Sequence, residues 1–264
     1  MADFLAEVTV RTRARLEAQK ARSSLEELKK RFKYNMPLRS LQKALHQRGR
    51  VAVIAELKEA SPSAGLIRKD VDKAGRIRSY EKGGAAALSI LTEEDYFHGS
   101  PQLLEEARRV SSLPLLRKDF IIDPYQIVES KGLGADAILL ISSLLPGAQL
   151  SEFISEAEDN GLEALVEVHD EADLAHAVEA HATLIGINNR DLRTLRVDTS
   201  NAERLLVKVP KAGVTLVVES GIRTPAELPR LKALGAHAVL IGETLMRAED
   251  PEKLLKEFIQ SCRK

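Results

Sequence analysis

Six charged or amide side chains of this sequence lie at or just after the carboxyl ends of short apolar runs. They are Glu56, Lys58, Lys118, Glu167, Asn188 and Glu219. Lysines and carboxylates that share a pocket shift each other's pKa values, and acid–base catalysis uses such shifts. A single charge after a strand is usually a solvated loop residue or a helix cap, which is what we expect of Arg117 and Asp119. Lys58 and Glu56 alone would also suit a structural ion pair. A catalytic site is favoured because all six side chains are expected to converge at one place.

Two glycine-containing turns have the composition of an anion-binding site. Ser220-Gly221 follows one apolar run, and Gly242-Glu243 follows the next. Glycine lets backbone N–H groups approach an anion closely, and each turn leads toward a helix N-terminus, whose N–H groups attract phosphate. The same glycines would also occur in turns that are merely tight. Because the two turns follow neighbouring strands, the sequence favours a phosphate site between them.

The elements that must position these residues are eight apolar runs, which begin about 27 residues apart. Runs rich in valine, isoleucine and leucine are typical of parallel strands buried on both sides, and the segments between them have helical spacing. The runs are Val51–Ala55, Ala85–Leu91, Leu113–Leu116, Ala135–Ile141, Leu162–Val168, Thr183–Ile187, Val214–Val218 and Ala236–Ile241. The pattern predicts an α/β fold, a single (β/α)8 TIM barrel whose strands all end at one mouth.

Residues 1–48 do not show this regular alternation of apolar runs and helical segments. Their spacing indicates two or three helices, the last with Leu38, Leu41 and Leu45 on one face. No linker rich in proline, glycine or serine follows them. We therefore expect one domain over residues 1–264, in which a helical extension at 1–48 packs on a barrel at 49–264.

Composition argues against several classes of protein. The 264 residues include 39 Lys plus Arg and 39 Asp plus Glu, and a net charge of zero argues against a nucleic-acid partner. With Cys262 as the only cysteine and no HxH or HExxH spacing among six histidines, we expect neither a disulfide nor a metal site. No apolar run resembles a signal-peptide core or a membrane span, so we expect a cytoplasmic protein without membrane contact.

Several strand ends belong to longer motifs. These are Ile54–Gly65 (IAELKEASPSAG), Leu116–Asp123 (LRKDFIID), Glu167–His169 (EVH), Gly186–Leu192 (GINNRDL) and Glu219–Ile222 (ESGI). In this order they resemble the signature of the indole-3-glycerol phosphate synthase family. The resemblance covers residues 50–247, and the helical extension matches as well.

The resemblance implies a carboxy-lyase of tryptophan biosynthesis. Its substrate, 1-(2-carboxyphenylamino)-1-deoxyribulose 5-phosphate, closes to an indole with loss of CO2 and water. This chemistry needs an acid at the ketone oxygen, a cation beside the leaving carboxylate and an acid–base pair for dehydration. It needs no metal or redox cofactor. Other enzymes of tryptophan biosynthesis would be its partners.

The resemblance also assigns roles to residues. Lys118 corresponds to the general acid of ring closure, and Lys58 to the cation near the substrate carboxylate with a share in dehydration. Glu56 and Glu167 would be acid–base and electrostatic carboxylates, while Asn188 and Glu219 would position other groups. Substrate or phosphate would contact Ser61, Arg190, Ser220, Gly221, Gly242 and Glu243. Since some family members have serine where this chain has Glu243, we expect a backbone contact there, with the carboxylate turned away from the phosphate.

Two other functions stay open at this point. A related barrel isomerase, such as phosphoribosylanthranilate isomerase, shares the phosphate site but usually works with a cysteine and an aspartate. Here the only cysteine lies in the last helical segment, away from every strand end. A barrel that binds a phosphorylated metabolite without turnover would differ by forming no fluorescent indole.

Overall fold

The computed structural model describes residues 3–31, 37–69, 71–209 and 213–262. The expected bounds of the extension and barrel, 1–48 and 49–264, also include residues 1–2, 32–36, 70, 210–212 and 263–264, which lie outside the described residues. Within the described ranges, no helix is long and apolar enough to cross a membrane.

Eight parallel strands form a closed barrel, which confirms the predicted fold. The strands are β1 (Ala52–Leu57), β2 (Ala87–Leu91), β3 (Leu115–Lys118), β4 (Ala137–Ile141), β5 (Glu163–Val168), β6 (Leu184–Asn188), β7 (Thr215–Glu219) and β8 (Ala238–Ile241). Each strand pairs with the next along the chain, and β8 closes the barrel by pairing with β1 from Ala52↔Ala238 to Ala55↔Ile241.

Four strands run further toward their carboxyl ends than the apolar runs predict. Glu56, Lys118, Asn188 and Glu219 each belong to a strand, whereas the predicted runs stop before them. The upper layer of a barrel interior can accommodate polar side chains that face a cavity. Apolar patterning alone therefore underestimates these strands at the functional end.

Helices alternate with the strands along the chain. The barrel helices are α4 (Lys73–Gly83), α5 (Pro101–Val110), α6 (Pro124–Gly132), α7 (Gln149–Asp159), α8 (Glu171–Glu179), α9 (Ser200–Leu206), α10 (Leu228–Ala233), α11 (Glu243–Arg247) and α12 (Pro251–Gln260). Ser100 and Asp123, each directly before a proline, cap α5 and α6 through side-chain bonds to backbone N–H groups. A short ribbon pairs Ala60–Ser61 with Gly65–Leu66 in the loop after β1.

Alternation along the strands divides the core into two layers. In β1, Val53 and Ala55 belong to the layer between strands and helices, whereas Ala52 and Ile54 belong to the barrel interior. Leu116, Leu139, Leu165 and Leu240 also fill the interior. Glu56 continues the inward-facing set of β1, which directs its carboxylate into the barrel mouth.

The N-terminal helices contact both ends of the barrel. The first, α1 (Phe4–Arg22), lies beside the mouth, where the Phe4 ring meets the rings of Tyr96 and Phe120. The second, α2 (Leu25–Arg31), packs through Leu28 on α6. The third, α3 (Leu41–Leu45), adds buried leucines to the interior cluster and is tied to Glu163 at the start of β5 by Ser40.

Candidate active site

A cavity of about 470 Å³ opens at the carboxyl ends of the strands. Its wall includes all six of the residues predicted to be catalytic, namely Glu56, Lys58, Lys118, Glu167, Asn188 and Glu219. Five of the six predicted substrate-binding positions also line it: Arg190, Ser220, Gly221, Gly242 and Glu243. Ser61 does not, because it lies in the ribbon after β1 and its hydroxyl accepts a hydrogen bond from the Ala64 N–H.

Lys118 stands between two carboxylates inside the cavity. Its Nζ lies 3.0 Å from Glu167 Oε2 and is also in contact with Glu219 Oε2. Asn188 Nδ2 donates to the other oxygen of Glu167 at 2.8 Å. The side chain of Lys118 is 15% exposed, so its ammonium can meet a ligand in the cavity while both carboxylates hold it.

The charges of this cluster shift each other's pKa. Burial would lower the pKa of Lys118, but the Glu167 and Glu219 carboxylates raise it more, so the pKa lies above the ordinary lysine value. Burial raises the pKa of Glu219 to about 7, although Lys118 opposes the rise and Glu167 adds to it. Glu219 Oε1 is buried and has no hydrogen-bond partner among the described residues, so a proton can reside there. Lys118 is therefore charged at neutral pH. Glu219, in contrast, gains and loses a proton near pH 7.

A second ion pair lies beside the first. Lys58 Nζ is 2.8 Å from Glu56 Oε1, and the Ser89 hydroxyl donates to Glu56 Oε2 at 3.3 Å. Burial would raise the pKa of Glu56, but the ammonium groups of Lys58 and Lys118 lower it below the ordinary glutamate value. Glu56 thus stays ionised and holds the Lys58 side chain on the cavity wall.

The turns after β7 and β8 lie side by side on the cavity wall. Ser220 and Gly221 both have left-handed backbone conformations, with φ of 64° and 82°. Within the described part of the chain, the backbone N–H groups of Gly221 and Glu243 donate no hydrogen bond. The Glu243 carboxylate bonds to Arg247 Nε at 2.9 Å. Two N–H donors on neighbouring turns are what an anion site requires.

The apolar part of the cavity and two of its arginines are not predicted by the sequence patterns. Phe97, Phe120, Leu139, Leu192, Arg223 and Arg247 are among the lining residues. Leu139 could have been found from alternation along β4, and the arginines from their position shortly after the two glycine turns. The two phenylalanines lie in loops, where no periodicity indicates which way a side chain points.

The expectation that Arg117 and Asp119 are solvated was wrong. Arg117 is buried, and its guanidinium bonds to Asp119 at 3.0 Å and to Glu129 of α6 at 2.8 Å. Asp119 is also buried and accepts a hydrogen bond from the Thr92 hydroxyl at 2.6 Å. Neighbouring residues of a strand face opposite sides, so Lys118 enters the barrel while Arg117 joins β3 to α6.

The histidines of the loops and barrel floor make structural contacts. His169 Nδ1 lies 3.0 Å from Asn188 O, and His46 Nε2 lies 2.7 Å from Thr215 Oγ1. His237 Nδ1 accepts a hydrogen bond from the Leu216 N–H at 3.1 Å. In the described ranges, no group of three or more His, Cys, Asp or Glu side chains is arranged to hold a metal ion.

Comparison with known proteins shows which family this chain belongs to. The family model for indole-3-glycerol phosphate synthase matches residues 5–258. The chain belongs to the indole-3-glycerol phosphate synthase family. Indole-3-glycerol phosphate synthase from Carboxydothermus hydrogenoformans is 51% identical over 229 residues, which are 86% of this chain and 86% of that protein. The same enzyme from Acetivibrio thermocellus is 44% identical over 258 residues, 97% of this chain and 98% of that protein.

Solved structures with the same fold are much more distant in sequence. A 3-hexulose-6-phosphate synthase superposes with a TM-score of 0.60 at 14% identity, over 80% of this chain and 99% of that one. A thiamine phosphate pyrophosphorylase from Pyrococcus furiosus gives a TM-score of 0.62 at 14% identity, over 84% of this chain and 98% of that one. At this identity the likeness extends to the barrel alone.

Membership of the indole-3-glycerol phosphate synthase family fixes the reaction. The enzyme is a carboxy-lyase of tryptophan biosynthesis that closes the indole ring of 1-(2-carboxyphenylamino)-1-deoxyribulose 5-phosphate, with loss of CO2 and water. Its substrate is therefore a small phosphorylated molecule. This assignment replaces both alternatives from the sequence, the isomerase and the barrel without turnover.

Proposed function

We propose that the six polar side chains on the cavity wall carry the reaction, with Lys118 as the acid of ring closure. The ring carbon that bears the carboxylate attacks the ketone carbon, and the ketone oxygen takes up a proton to become a hydroxyl. Breaking the bond to the carboxylate releases CO2 and restores the aromatic ring. Loss of the hydroxyl as water, with a proton from the adjacent methylene carbon, forms the indole double bond.

The position of the Lys118 ammonium between Glu167 and Glu219 carries this proposal. Its raised pKa keeps the lysine charged until the ketone oxygen becomes an alkoxide. An alkoxide is far more basic than an amine, so proton transfer at that moment is favourable despite the raised pKa. The two carboxylates then stabilise the ammonium that must be regenerated. Glu219 serves to position Lys118 in this scheme.

The other polar residues act in the loss of the carboxylate and in the dehydration. Lys58, held in place by Glu56, lies beside the leaving carboxylate and shares in the dehydration. Glu167 acts as the base of dehydration, since its carboxylate reaches into the cavity next to Lys118. Asn188 orients Glu167 through the 2.8 Å bond to Oε1.

Substrate binding divides the cavity into a charged end and an apolar end. The phosphate binds to the backbone N–H groups after β7 and β8, with Arg190 and Arg247 on the same wall. The aromatic ring lies against the apolar side chains of Phe97, Phe120 and Leu139. Ser61 contacts substrate only if the ribbon after β1 moves toward the mouth.

Lys118→Met tests the acid role. We expect kcat to fall by about 10²–10⁴-fold while the protein stays folded, because a positioned general acid contributes that much. Indole fluorescence reports the product, and this chain has no tryptophan to obscure it. Lys73→Met is the matched control, since Lys73 pairs with Glu59 at 2.5 Å outside the cavity wall. A stable Lys118→Met enzyme that keeps more than about a tenth of wild-type kcat would remove Lys118 from this role.

The setting of the reaction supports a cytoplasmic enzyme that works beside others of tryptophan biosynthesis. One enzyme must supply the phosphorylated ketose and another must consume the indole product. A short diffusion path between them favours a shared compartment. Cell fractionation that recovers this protein away from those activities would contradict the proposal.

A further inference from the structure

The turn after β7 holds an unusual backbone conformation. Ser220 has a φ of 64°, which is unfavourable for any residue with a side chain, and Gly221 follows with a φ of 82°. Such a turn persists only where its surroundings hold it. One side chain from the loop after β6 and one from α11 do so here. Asn189 Nδ2 donates to Ser220 O at 3.0 Å, and the Thr244 hydroxyl donates to Ile222 O at 2.8 Å.

Asn189 is itself firmly fixed. It is 1% exposed and its Oδ1 accepts a hydrogen bond from the Ala202 N–H of α9 at 2.9 Å. Its backbone N–H also bonds to Glu219 O at 3.0 Å. Asn189 is not on the cavity wall, whereas Gly221 is. The Ser220 carbonyl is therefore drawn toward the protein interior, away from the cavity.

The direction of this carbonyl decides the direction of a neighbouring N–H. Ser220 C=O and Gly221 N–H belong to one peptide unit, and in a trans peptide they point in opposite directions. When Asn189 binds the carbonyl, the Gly221 N–H faces the cavity. Glycine tolerates both signs of φ, so without Asn189 this peptide could turn over and present its carbonyl oxygen instead. A carbonyl oxygen would repel a phosphate dianion.

We infer that Asn189 is a positioning residue for phosphate: it locks the Ser220–Gly221 peptide with its N–H toward the ligand. This inference rests on the proposed phosphate site at the β7 and β8 turns. Asn189 does not touch the phosphate and does not reach the reacting atoms. Its loss therefore weakens binding of the phosphate group and leaves the chemical steps in place.

Inorganic phosphate as a competitive inhibitor is the probe. In Asn189→Ala we expect the phosphate inhibition constant and the substrate KM each to rise about tenfold, with kcat within about twofold of wild type. Thr244→Val removes the hydroxyl that holds the other side of the turn and should raise the same constant by a smaller factor. A purely structural role for Asn189 would lower the thermal midpoint without changing the inhibition constant, and that result would overturn the inference.

Asn201→Ala is the matched control. Asn201 is also a buried asparagine, and its Nδ2 donates to the carbonyls of His169 and Asn188, but it makes no bond to the β7 turn. Its replacement should reduce stability and leave the inhibition constant for phosphate unchanged. An equal loss of phosphate affinity in both variants would overturn the inference.

Two further variants keep the outcome decisive. If Asn189→Ala does not fold, Asn189→Asp retains the acceptor for Ala202 but replaces the donor to Ser220 with a carboxylate oxygen. Because the donor is lost and a negative charge is added, it should weaken phosphate binding at least as much. Gly221→Ala disturbs the turn directly, because a Cβ there would lie 2.8 Å from Thr199 Cγ2. If Gly221→Ala weakens phosphate binding and the Asn189 variants do not, Asn189 has no positioning role, and the proposed phosphate site is still supported. If none of them weakens phosphate, the proposed phosphate site itself is wrong.

Discussion

Gly242 and Glu56 are in such close contact that a Cβ on residue 242 would lie 2.3 Å from Glu56 Oε1. The same Cβ would lie 3.2 Å from Lys58 Nζ. The contact arises because β8 pairs with β1, with Ala55 opposite Ile241. Gly242 is therefore needed for the Glu56–Lys58 pair, in addition to its proposed part in the phosphate turn.

Gly242→Ala should displace the Glu56 carboxylate and weaken its bond to Lys58. We expect kcat to fall on the order of 10- to 100-fold, since a displacement of about 1 Å in a catalytic group can cost that much. Steady-state kinetics with inorganic phosphate as inhibitor would separate this effect from phosphate binding. If the inhibition constant for phosphate rises while kcat stays at the wild-type value, Gly242 serves the phosphate turn only.

Glu219 should make the stability of the enzyme depend on pH in a defined range. Its pKa rises from 4.5 to about 7 on folding. A carboxyl group with a raised folded-state pKa stabilises the folded protein below pH 4.5, and this contribution is lost as pH rises through about 7.

Glu219→Gln removes this titration, so the variant should gain stability relative to wild type as pH rises across that range. Urea unfolding at several pH values measures the free energy of unfolding of both proteins. Taking the difference between them cancels the titration of all other groups. Glu179→Gln, at an exposed position of α8, is the control and should follow the wild-type curve. A constant difference between Glu219→Gln and wild type would contradict the raised pKa.

Glu243 brings a negative charge to the wall where the phosphate is proposed to bind. Its carboxylate bonds to Arg247, so the prediction that it turns away from the phosphate stays open. In Glu243→Gln, Arg247 loses a competing anion and the phosphate loses a repulsive neighbour, so we expect the substrate KM to fall about two- to fivefold. High salt should reduce the difference.

Glu252→Gln provides the control for this charge change. Glu252 forms a similar pair with Lys256 four residues further along α12, at 2.5 Å, and it is not on the cavity wall. Its replacement should leave KM unchanged. An unchanged KM in Glu243→Gln as well would show that the Glu243 charge does not reach the ligand.

The extension should serve substrate binding through Phe4. Its ring centroid lies 5.0 Å from that of Tyr96 and 6.3 Å from that of Phe120, a residue of the cavity wall. Phe4→Ala should cost about 3 kcal/mol of stability and raise the substrate KM several-fold, because the apolar wall loses its support. Deleting residues 1–30 should likewise leave a folded barrel with impaired substrate binding.

Leu28→Ala separates support of the cavity from support of the fold. Leu28 is buried in α2 against Tyr125 and Val128, in a cluster apart from the cavity wall. It should lose stability of a similar order and keep its KM. If Phe4→Ala or the truncated protein shows wild-type KM and kcat, the extension has only a structural role.

The sequence by itself determined the barrel and the contents of its mouth. Apolar runs at a steady interval predict buried parallel strands, and parallel strands in a closed barrel must all end at one face. This is why Glu56, Lys118, Glu167 and Asn188 could be assigned to one cavity from their positions at the carboxyl ends of the runs. The order of their motifs also identified the family.

Only the tertiary structure decided which of these groups are in contact. Strand stagger and tilt set the distances across a barrel mouth, and neither is visible in local patterning. Thus Lys118 contacts Glu219, 101 residues away, as well as Glu167. The contact of Gly242 with Glu56 likewise depends on how β8 closes against β1. The bond from Asn189 to Ser220 depends on the pairing of β6 with β7, which brings their following loops together.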